Sequence, residues 1–314
     1  MPLLALSTCW NSPRHTDGYE MLAEIAALGF KNVELSHGIR LSLVPGILRA
    51  LQEKLVRVTS THNFCPLPPG VNHSAPNMFT PSSSDERILM QWHRYTRRTL
   101  DFAKQVGASV VVAHLGDVEF GWWNPTRRIN RLEHAMAGRG ESGLEKLRLA
   151  AAACLDRGRA RQPERWERVC AMLEDVLPDF VQQGIVLGAE NREKCEELPF
   201  DDDFPGLLQR FKPGAGLAYW HDTGHAHLKE KMGLITQLEL LETNASRLAG
   251  FHVHDVSGFA DHNPPGQGEI DFAAIARFMR PEHLVTLELH PRLAPNEVVD
   301  GRKYLEDVLQ AGNA

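Results

Sequence analysis

The sequence has few cysteines, and their arrangement excludes two common kinds of site. Five cysteines are spread over 314 residues, at positions 9, 65, 154, 170 and 195, with no C-x-x-C pair. An odd number at such wide spacing does not build a disulfide framework, so a reducing cytoplasm is the predicted location. A structural zinc site rich in cysteine is not expected either.

Long apolar runs and clusters of positive charge are also scarce. No apolar run reaches the roughly 18 residues that a membrane span needs, and the N-terminal MPLLALSTCW lacks the basic start of a signal peptide. The formal net charge is −6, which argues against the concentrated basic surface that nucleic-acid binding requires. The predicted partner is therefore a small molecule, and a homo-oligomer is left open.

Eight short β-rich runs alternate with helical patterns along the whole chain. They lie at 3–9, 32–36, 56–62, 109–114, 184–190, 216–222, 250–255 and 284–290. This alternation predicts one (β/α)8 barrel, a TIM barrel, over residues 1–314. A doubly wound sheet is the rival, but no glycine-rich phosphate loop follows the first run.

Helix boundaries and one long connection can also be predicted. Asp17 is placed to cap the first helix, and Gly107 ends the helix before the fourth strand. Residues of about 117–180 form a helical insert between strands 4 and 5. Within it, 121–170 carries eleven Lys and Arg against six Asp and Glu. Two interpretations are open. The segment is a solvated helical excursion, or it is a functional surface, either a basic lid over an anionic substrate or a subunit contact.

Acidic and imidazole side chains stand at or just after the ends of six consecutive predicted strands. These residues are His62, His114, Glu190, Asp222 with His225 in the following loop, His252 with His254, and Glu288 with His290. A barrel builds its active site from the C-terminal ends of its strands, so these side chains should converge. Unpaired polar groups meeting there would be costly, and a metal ion would remove that cost.

The types of the candidate ligands indicate the kind of metal. Carboxylates and imidazoles without thiolates suit Mn, Mg, Co, Fe or Zn and do not select one of them. His252 and His254 share one strand face, and Glu288 is an inward polar residue between two leucines. The pattern therefore predicts a catalytic divalent-metal site at the barrel mouth.

Four stretches resemble the xylose isomerase-like barrel superfamily. They are GAENRE (188–193), HDTGHA (221–226), FHVHD (251–255) and DHNPPGQGEIDF (261–272). The superfamily includes sugar and sugar-phosphate isomerases, ketose 3-epimerases and an endonuclease IV branch. The resemblance runs over nearly the whole chain and is weakest in the insert.

The isomerase-like members imply one set of roles for this chain. The metal ligands would be Glu190, Asp222, His252 and Glu288, with the two glutamates also catalytic. By the same resemblance, His225 and Glu196 would contact the substrate. Further candidate substrate contacts are His254, Arg192 and Trp122, the last as an aromatic wall in the GWWNP segment. His252 is preferred over His254 as the ligand because it lies three residues before Asp255.

The endonuclease IV branch implies further metal ligands. His62, His114 and Glu190 would form one additional site, and His225 with His262 another. The aspartate expected two residues before His262 is replaced by Ala260, although Asp261 is adjacent. A trinuclear centre is therefore not expected, but a binuclear one remains open.

Two reactions fit these residues. An isomerase or epimerase would use one divalent ion to stabilise an enediolate while Glu190 and Glu288 move a proton. A phosphodiesterase would use two or three ions, with His62 and His114 as obligatory ligands, on a small anionic diester such as one in cobamide remodelling. The isomerase or epimerase is favoured, and a non-catalytic sugar-binding barrel is the third and least favoured alternative.

Overall fold

A closed barrel of eight parallel strands forms the centre of the molecule. The computed structural model describes residues 1–121, 124–136 and 143–312. The barrel strands are Leu3–Ser7 (β1), Asn32–Leu35 (β2), Arg57–His62 (β3), Val110–Ala113 (β4), Val186–Glu190 (β5), Leu217–Asp222 (β6), Leu248–Val253 (β7) and Leu284–Leu287 (β10). All eight predicted runs became barrel strands, and β1 pairs with β10 to close the ring. The predicted TIM-barrel fold is therefore confirmed.

A short hairpin of Asp255–Ser257 (β8) and Ala260–Asn263 (β9) follows β7. The Asp255 carboxylate holds the next loop, because it accepts hydrogen bonds from the backbone N–H groups of Gly266, Gly268 and Ile270. A side chain at Gly268 would collide with that carboxylate. The glycine-rich PPGQGEI segment therefore wraps around one buried acid.

Eleven α-helices lie in the described part of the chain. They are Gly18–Ala27 (α1), Val44–Gln52 (α2), Glu86–Val106 (α3), Thr126–Met136 (α4), Leu144–Arg159 (α5), Gln162–Gln183 (α6), Phe204–Arg210 (α7), Thr223–Lys231 (α8), Gln237–Asn244 (α9), Phe272–Ala276 (α10) and Pro295–Ala311 (α11). Asp17 caps α1 through the N–H groups of Tyr19 and Glu20, and Gly107 ends α3 with φ of 78°, both as predicted. No helix in the described ranges is both long and apolar enough to cross a membrane.

The long connection between β4 and β5 contains α4, α5 and α6. The last of these packs against α3 and β5, so it is the barrel's own helix, and only α4 and α5 are additional. Several basic side chains of this segment pair with acids on the protein itself. Arg159 reaches Asp202 and Asp203, and Arg168 pairs with Glu164.

The barrel interior is apolar at its centre and polar at its C-terminal end. Trp220 packs with Val110, Val112 and Leu284 inside the ring, and Gly250 leaves space for its indole. Asp222 lies two residues beyond Trp220 on β6, and His252 lies two residues beyond Gly250 on β7. Because side chains alternate along a strand, Asp222 and His252 point to the same interior. The tryptophan layer therefore forms the floor beneath the polar cluster.

The docking of α4 should depend on pH through Glu133. Burial, followed by the charge of Glu193, raises the pKa of Glu133 from 4.5 to about 7. The folded chain therefore holds this proton more tightly than the unfolded chain, so stability is lost as pH rises from about 5 to 8. We expect Glu133→Gln to raise the Tm by about 1–2 °C at pH 8 and to leave it unchanged at pH 5.

Thermal unfolding of the variant at the two pH values measures this effect. Glu145→Gln on α5 is the matched control, because Glu145 is exposed. An equal Tm change at pH 5 and pH 8 would rule out the titration of Glu133 as the cause.

Candidate metal centre

The strand-end residues predicted from the sequence meet at the C-terminal mouth of the barrel. Their potential ligand atoms form three groups, each within 4.8 Å: Glu190, Asp222, His252 and Glu288; His62, His114 and Glu190; and Asp222, His225 and His254. Every one of these residues is buried or nearly so. Glu190 belongs to two of the groups and Asp222 to two, so the clusters are contiguous.

His252 is the centre of the four-residue group. Its Nδ1 lies 2.7 Å from Oε1 of Glu190 and 3.1 Å from Oε2 of Glu288. Burial alone would lower the pKa of His252, but Glu288, Glu34 and Glu190 raise it well above its ordinary value. The same nitrogen that faces these carboxylates would face a metal ion held by them.

Glu34 supports His252 from the other side and was missed in the sequence. Both of its carboxylate oxygens lie 3.1 Å from Nε2 of His252, while Ser7 and Ser60 donate hydrogen bonds to it. Glu34 is fully buried at the end of β2, between Val33 and Leu35. The alternation that singled out Glu288 between two leucines is present here too and would have found it.

Replacing Glu34 should weaken metal binding without removing a ligand. A carboxylate that accepts the far N–H of a metal-binding histidine orients the ring, and losing such a partner typically costs roughly 10–100-fold in affinity. We expect Glu34→Gln to bind Mn²⁺ about 10–100-fold more weakly in calorimetric titration of chelator-stripped protein. Ser60→Ala, which removes one hydrogen bond to Glu34, should have a smaller effect. Wild-type affinity in Glu34→Gln would contradict this role.

Three histidines have Nδ1 committed to an oxygen that can only accept. Nδ1 of His62 lies 3.0 Å from the Asn63 carbonyl oxygen, and Nδ1 of His225 lies 3.1 Å from that of Asn191. His114 donates in the same way to Oδ1 of Asn77, at 2.6 Å. In its neutral form each ring therefore keeps its lone pair on Nε2, the state in which imidazole binds a metal.

His62 and His114 direct those Nε2 atoms at Glu190. The distances to its Oε2 are 3.6 Å and 2.9 Å. Burial, followed by the charge of Arg192, lowers the pKa of His114 to about 3, so this ring is neutral at pH 7. The second group is therefore also suited to a divalent ion.

Glu190 is held from several directions. Arg192 donates from Nη1 to Oε2 of Glu190 at 2.9 Å and from Nη2 to Oε1 of Glu197 at 3.2 Å. Although burial would raise the pKa of Glu190, the charge of His252 and the hydrogen bond from its Nδ1 hold it well below its usual value. Arg192, predicted as a substrate contact, is thus shared between two acids, of which Glu197 was not predicted.

The other predicted substrate contacts are placed differently. Glu196 lies beside Thr126 of α4 and belongs to none of the three groups, and Trp122 lies outside the described residues. His254 is buried against Asp222, with Nε2 3.0 Å from Oδ1.

His262 stacks on His254 at 4.2 Å between ring centres and pairs with Asp261 at 3.1 Å. The ring centres of His225 and His262 lie 6.5 Å apart. The two histidines predicted to form a further metal site are therefore neighbours but are not in contact.

A cavity of about 390 Å³ opens beside the four-residue group. Glu288 lines it together with His262, and so do side chains that can hydrogen-bond hydroxyl groups: Ser12, Ser36, His37, Asn72, His73 and His290. His37, which was not predicted, has its Nε2 4.0 Å from Glu288. Burial lowers the pKa of His37 well below its ordinary value, so it faces the cavity as a neutral ring.

The stretch HDTGHAH, residues 221–227, contains two further histidines that belong to none of the three groups. His221 is fully buried between Tyr219 and Gln237, and His227 is near Glu269. Asp222 both ends β6 and caps α8 by accepting the N–H of His225 at 2.7 Å. The stretch therefore contributes Asp222 and His225 to the centre.

Solved structures of several sugar epimerases have this architecture. A D-tagatose 3-epimerase-like protein is 16% identical, with a TM-score of 0.69 over 99% of this chain and 98% of that one. A 3-keto-D-glucoside 4-epimerase from E. coli is 14% identical, with a TM-score of 0.68 over 98% and 100%. An L-ribulose 3-epimerase is 13% identical, with a TM-score of 0.68 over 100% and 96%. At such identities the likeness establishes the fold alone.

The search of curated proteins found no significant match. The family model described as xylose isomerase-like TIM barrel matches residues 22–308, which includes every strand-end residue of the centre. The chain therefore belongs to the xylose isomerase-like TIM barrel family.

Proposed function

We propose that the protein is a divalent-metal-dependent isomerase or epimerase of a sugar or sugar phosphate. The observation that carries this is the convergence of Glu190, Asp222, His252 and Glu288, with Glu288 lining a cavity of sugar size. Three carboxylates and one imidazole, with the imidazole oriented by Glu34, suit Mn, Mg, Co or Zn. The names of the similar solved structures, which include ketose 3-epimerases, favour the same reaction class.

The proposed reaction is proton transfer at a carbon next to a carbonyl. A divalent ion bound by the four residues would polarise that carbonyl and so acidify the carbon. Glu288 is the better placed base, because it lines the cavity beside the neutral ring of His37. Glu190 is engaged by His114, Arg192 and His252, which favours a ligand role for it. The serine, asparagine and imidazole groups of the cavity would orient the sugar hydroxyls.

Isotope exchange tests this function across a whole class of sugars. The protein, loaded with Mn²⁺, Co²⁺, Mg²⁺ or Zn²⁺, is incubated in D₂O with D-tagatose, D-fructose, D-allulose, L-ribulose and their phosphates. We expect NMR to show deuterium entering the carbon beside the carbonyl of at least one sugar of this ketose panel, together with its epimer or isomer. No exchange with any sugar, under conditions where metal binding is verified, would overturn the proposal.

A metal-dependent phosphodiesterase is the second candidate. The observation that favours it is the group of His62, His114 and Glu190, in which both imidazoles commit Nδ1 to an oxygen acceptor and direct Nε2 at Glu190. Hydrolysis of bis(p-nitrophenyl) phosphate is the direct assay. Metal analysis of protein purified without chelator, compared with His62→Ala, separates the two candidates. One ion that survives the substitution favours the isomerase, and two ions with one lost favour the phosphodiesterase.

A further inference from the structure

His254 differs from the other histidines of the centre in its tautomer. The backbone N–H of His262 points at Nδ1 of His254, 2.9 Å away. Only a ring nitrogen without a proton accepts such a bond, so the proton of the neutral ring is on Nε2. That Nε2 lies 3.0 Å from Oδ1 and 3.2 Å from Oδ2 of Asp222. The arrangement is the reverse of the one at His62, His114 and His225.

We propose that His254 is a positioning residue that donates from Nε2 to the Asp222 carboxylate and is not itself a metal ligand. Both ring nitrogens are then occupied, one by His262 and one by Asp222, which leaves none for an ion or a substrate. The hydrogen bond fixes the rotation of the Asp222 carboxylate, whose Oδ2 lies 3.9 Å from Nδ1 of His252. This inference rests on the proposed metal centre but not on which reaction the centre performs.

The three consecutive residues Asp222, Thr223 and Gly224 each meet His254. Oγ1 of Thr223 donates to the carbonyl oxygen of His254 at 2.9 Å and accepts the backbone N–H of His254 at 3.2 Å. These two hydrogen bonds hold the backbone of His254 in place. At Gly224 a Cβ atom would overlap the imidazole ring of His254. The Asp-Thr-Gly sequence is thus shaped around this ring.

His262, in the β8–β9 hairpin, is the remaining residue that encloses the ring of His254. Its ring stacks on that of His254 with an angle of 10° between the planes. Its backbone has φ of 56°, a left-handed conformation that few residues other than glycine adopt. The hairpin therefore presents a backbone N–H to His254, and through that ring it is coupled to Asp222.

Substitutions of His254 separate positioning from ligation. Glutamine can replace both hydrogen bonds, because its amide N–H can donate to Asp222 and its carbonyl can accept from His262. We expect His254→Gln to bind Zn²⁺ within about 5-fold of wild type and His254→Ala to bind it roughly 10–100-fold more weakly, both with unchanged stoichiometry. His283→Gln, at a buried histidine remote from the centre, controls for loss of packing.

Two measurements decide the matter, and neither uses turnover. The first is ¹⁵N NMR of the histidine rings with and without Zn²⁺, where we expect His254 to keep its Nε2–H tautomer on loading. The second is calorimetric titration of Zn²⁺ into chelator-stripped wild type and variants. Loss of the Nε2 proton on loading, or one ion fewer in the variants, would show that His254 is a ligand. Wild-type affinity in His254→Ala would show that it has no positioning role.

Discussion

Glu288→Gln should lower kcat/KM on the responsive sugar of the ketose panel by about 10³-fold or more. Glutamine keeps an oxygen that can still face the metal but cannot accept a proton, and general base catalysis contributes roughly 10²–10⁴-fold. Glu288 is also the member of the four-residue group that lines the cavity, so no other member of that group is placed to replace it there. The loss should therefore appear in kcat and in deuterium exchange.

The measurement is the rate of deuterium incorporation at saturating metal, with bound metal determined in the same sample. Glu282→Gln, an exposed glutamate just before β10, is the matched control and should behave as wild type. Exchange at the wild-type rate in Glu288→Gln would move the role of base to another residue. Loss of both metal and exchange would show that Glu288 acts first as a ligand.

Asp222→Asn should remove the ion from the four-residue group while preserving the fold. The asparagine Oδ1 can still accept the N–H of His225, so the cap of α8 is retained. The negative charge is lost, however, and we expect the affinity for Mn²⁺ to fall by about 10²-fold or more. An ion at about 100 times its Kd stabilises the folded chain by about 2.7 kcal/mol.

The readout for this variant is the rise in Tm on adding Mn²⁺, which should be several degrees in wild type and nearly absent in Asp222→Asn. Asp300→Asn serves as the control, because Asp300 is exposed on α11 and lies outside the three groups. If Asp222→Asn and wild type gain the same stability from Mn²⁺, the ion is held elsewhere. A residual, smaller gain would indicate a second ion at His62 and His114.

The sequence was sufficient for the fold and for most of the centre. The eight runs have strand periodicity, and in a barrel the ends of the strands meet whatever the loops do. Glu190, Asp222, His252 and Glu288 could therefore be selected without knowing any distance. Asp17 and Gly107 were equally predictable, because helix caps depend on contacts within a few residues.

Contacts between distant parts of the chain decided the rest. His252 and His254 are alike in sequence, but one faces Glu190 and Glu288 while the other accepts the N–H of His262. Only the direction of those hydrogen bonds assigns the protons, and no local pattern encodes it. Glu34 joins the centre through His252, which is 218 residues away in sequence.

The sequence alone thus determined a (β/α)8 barrel with acids and imidazoles at its mouth, because periodicity and strand order are local or topological properties. The tertiary structure alone decided which glutamate faces the cavity, which imidazole nitrogens are free, and that α6 belongs to the barrel. These depend on burial and on hydrogen bonds across the ring, which exist only once the strands are side by side.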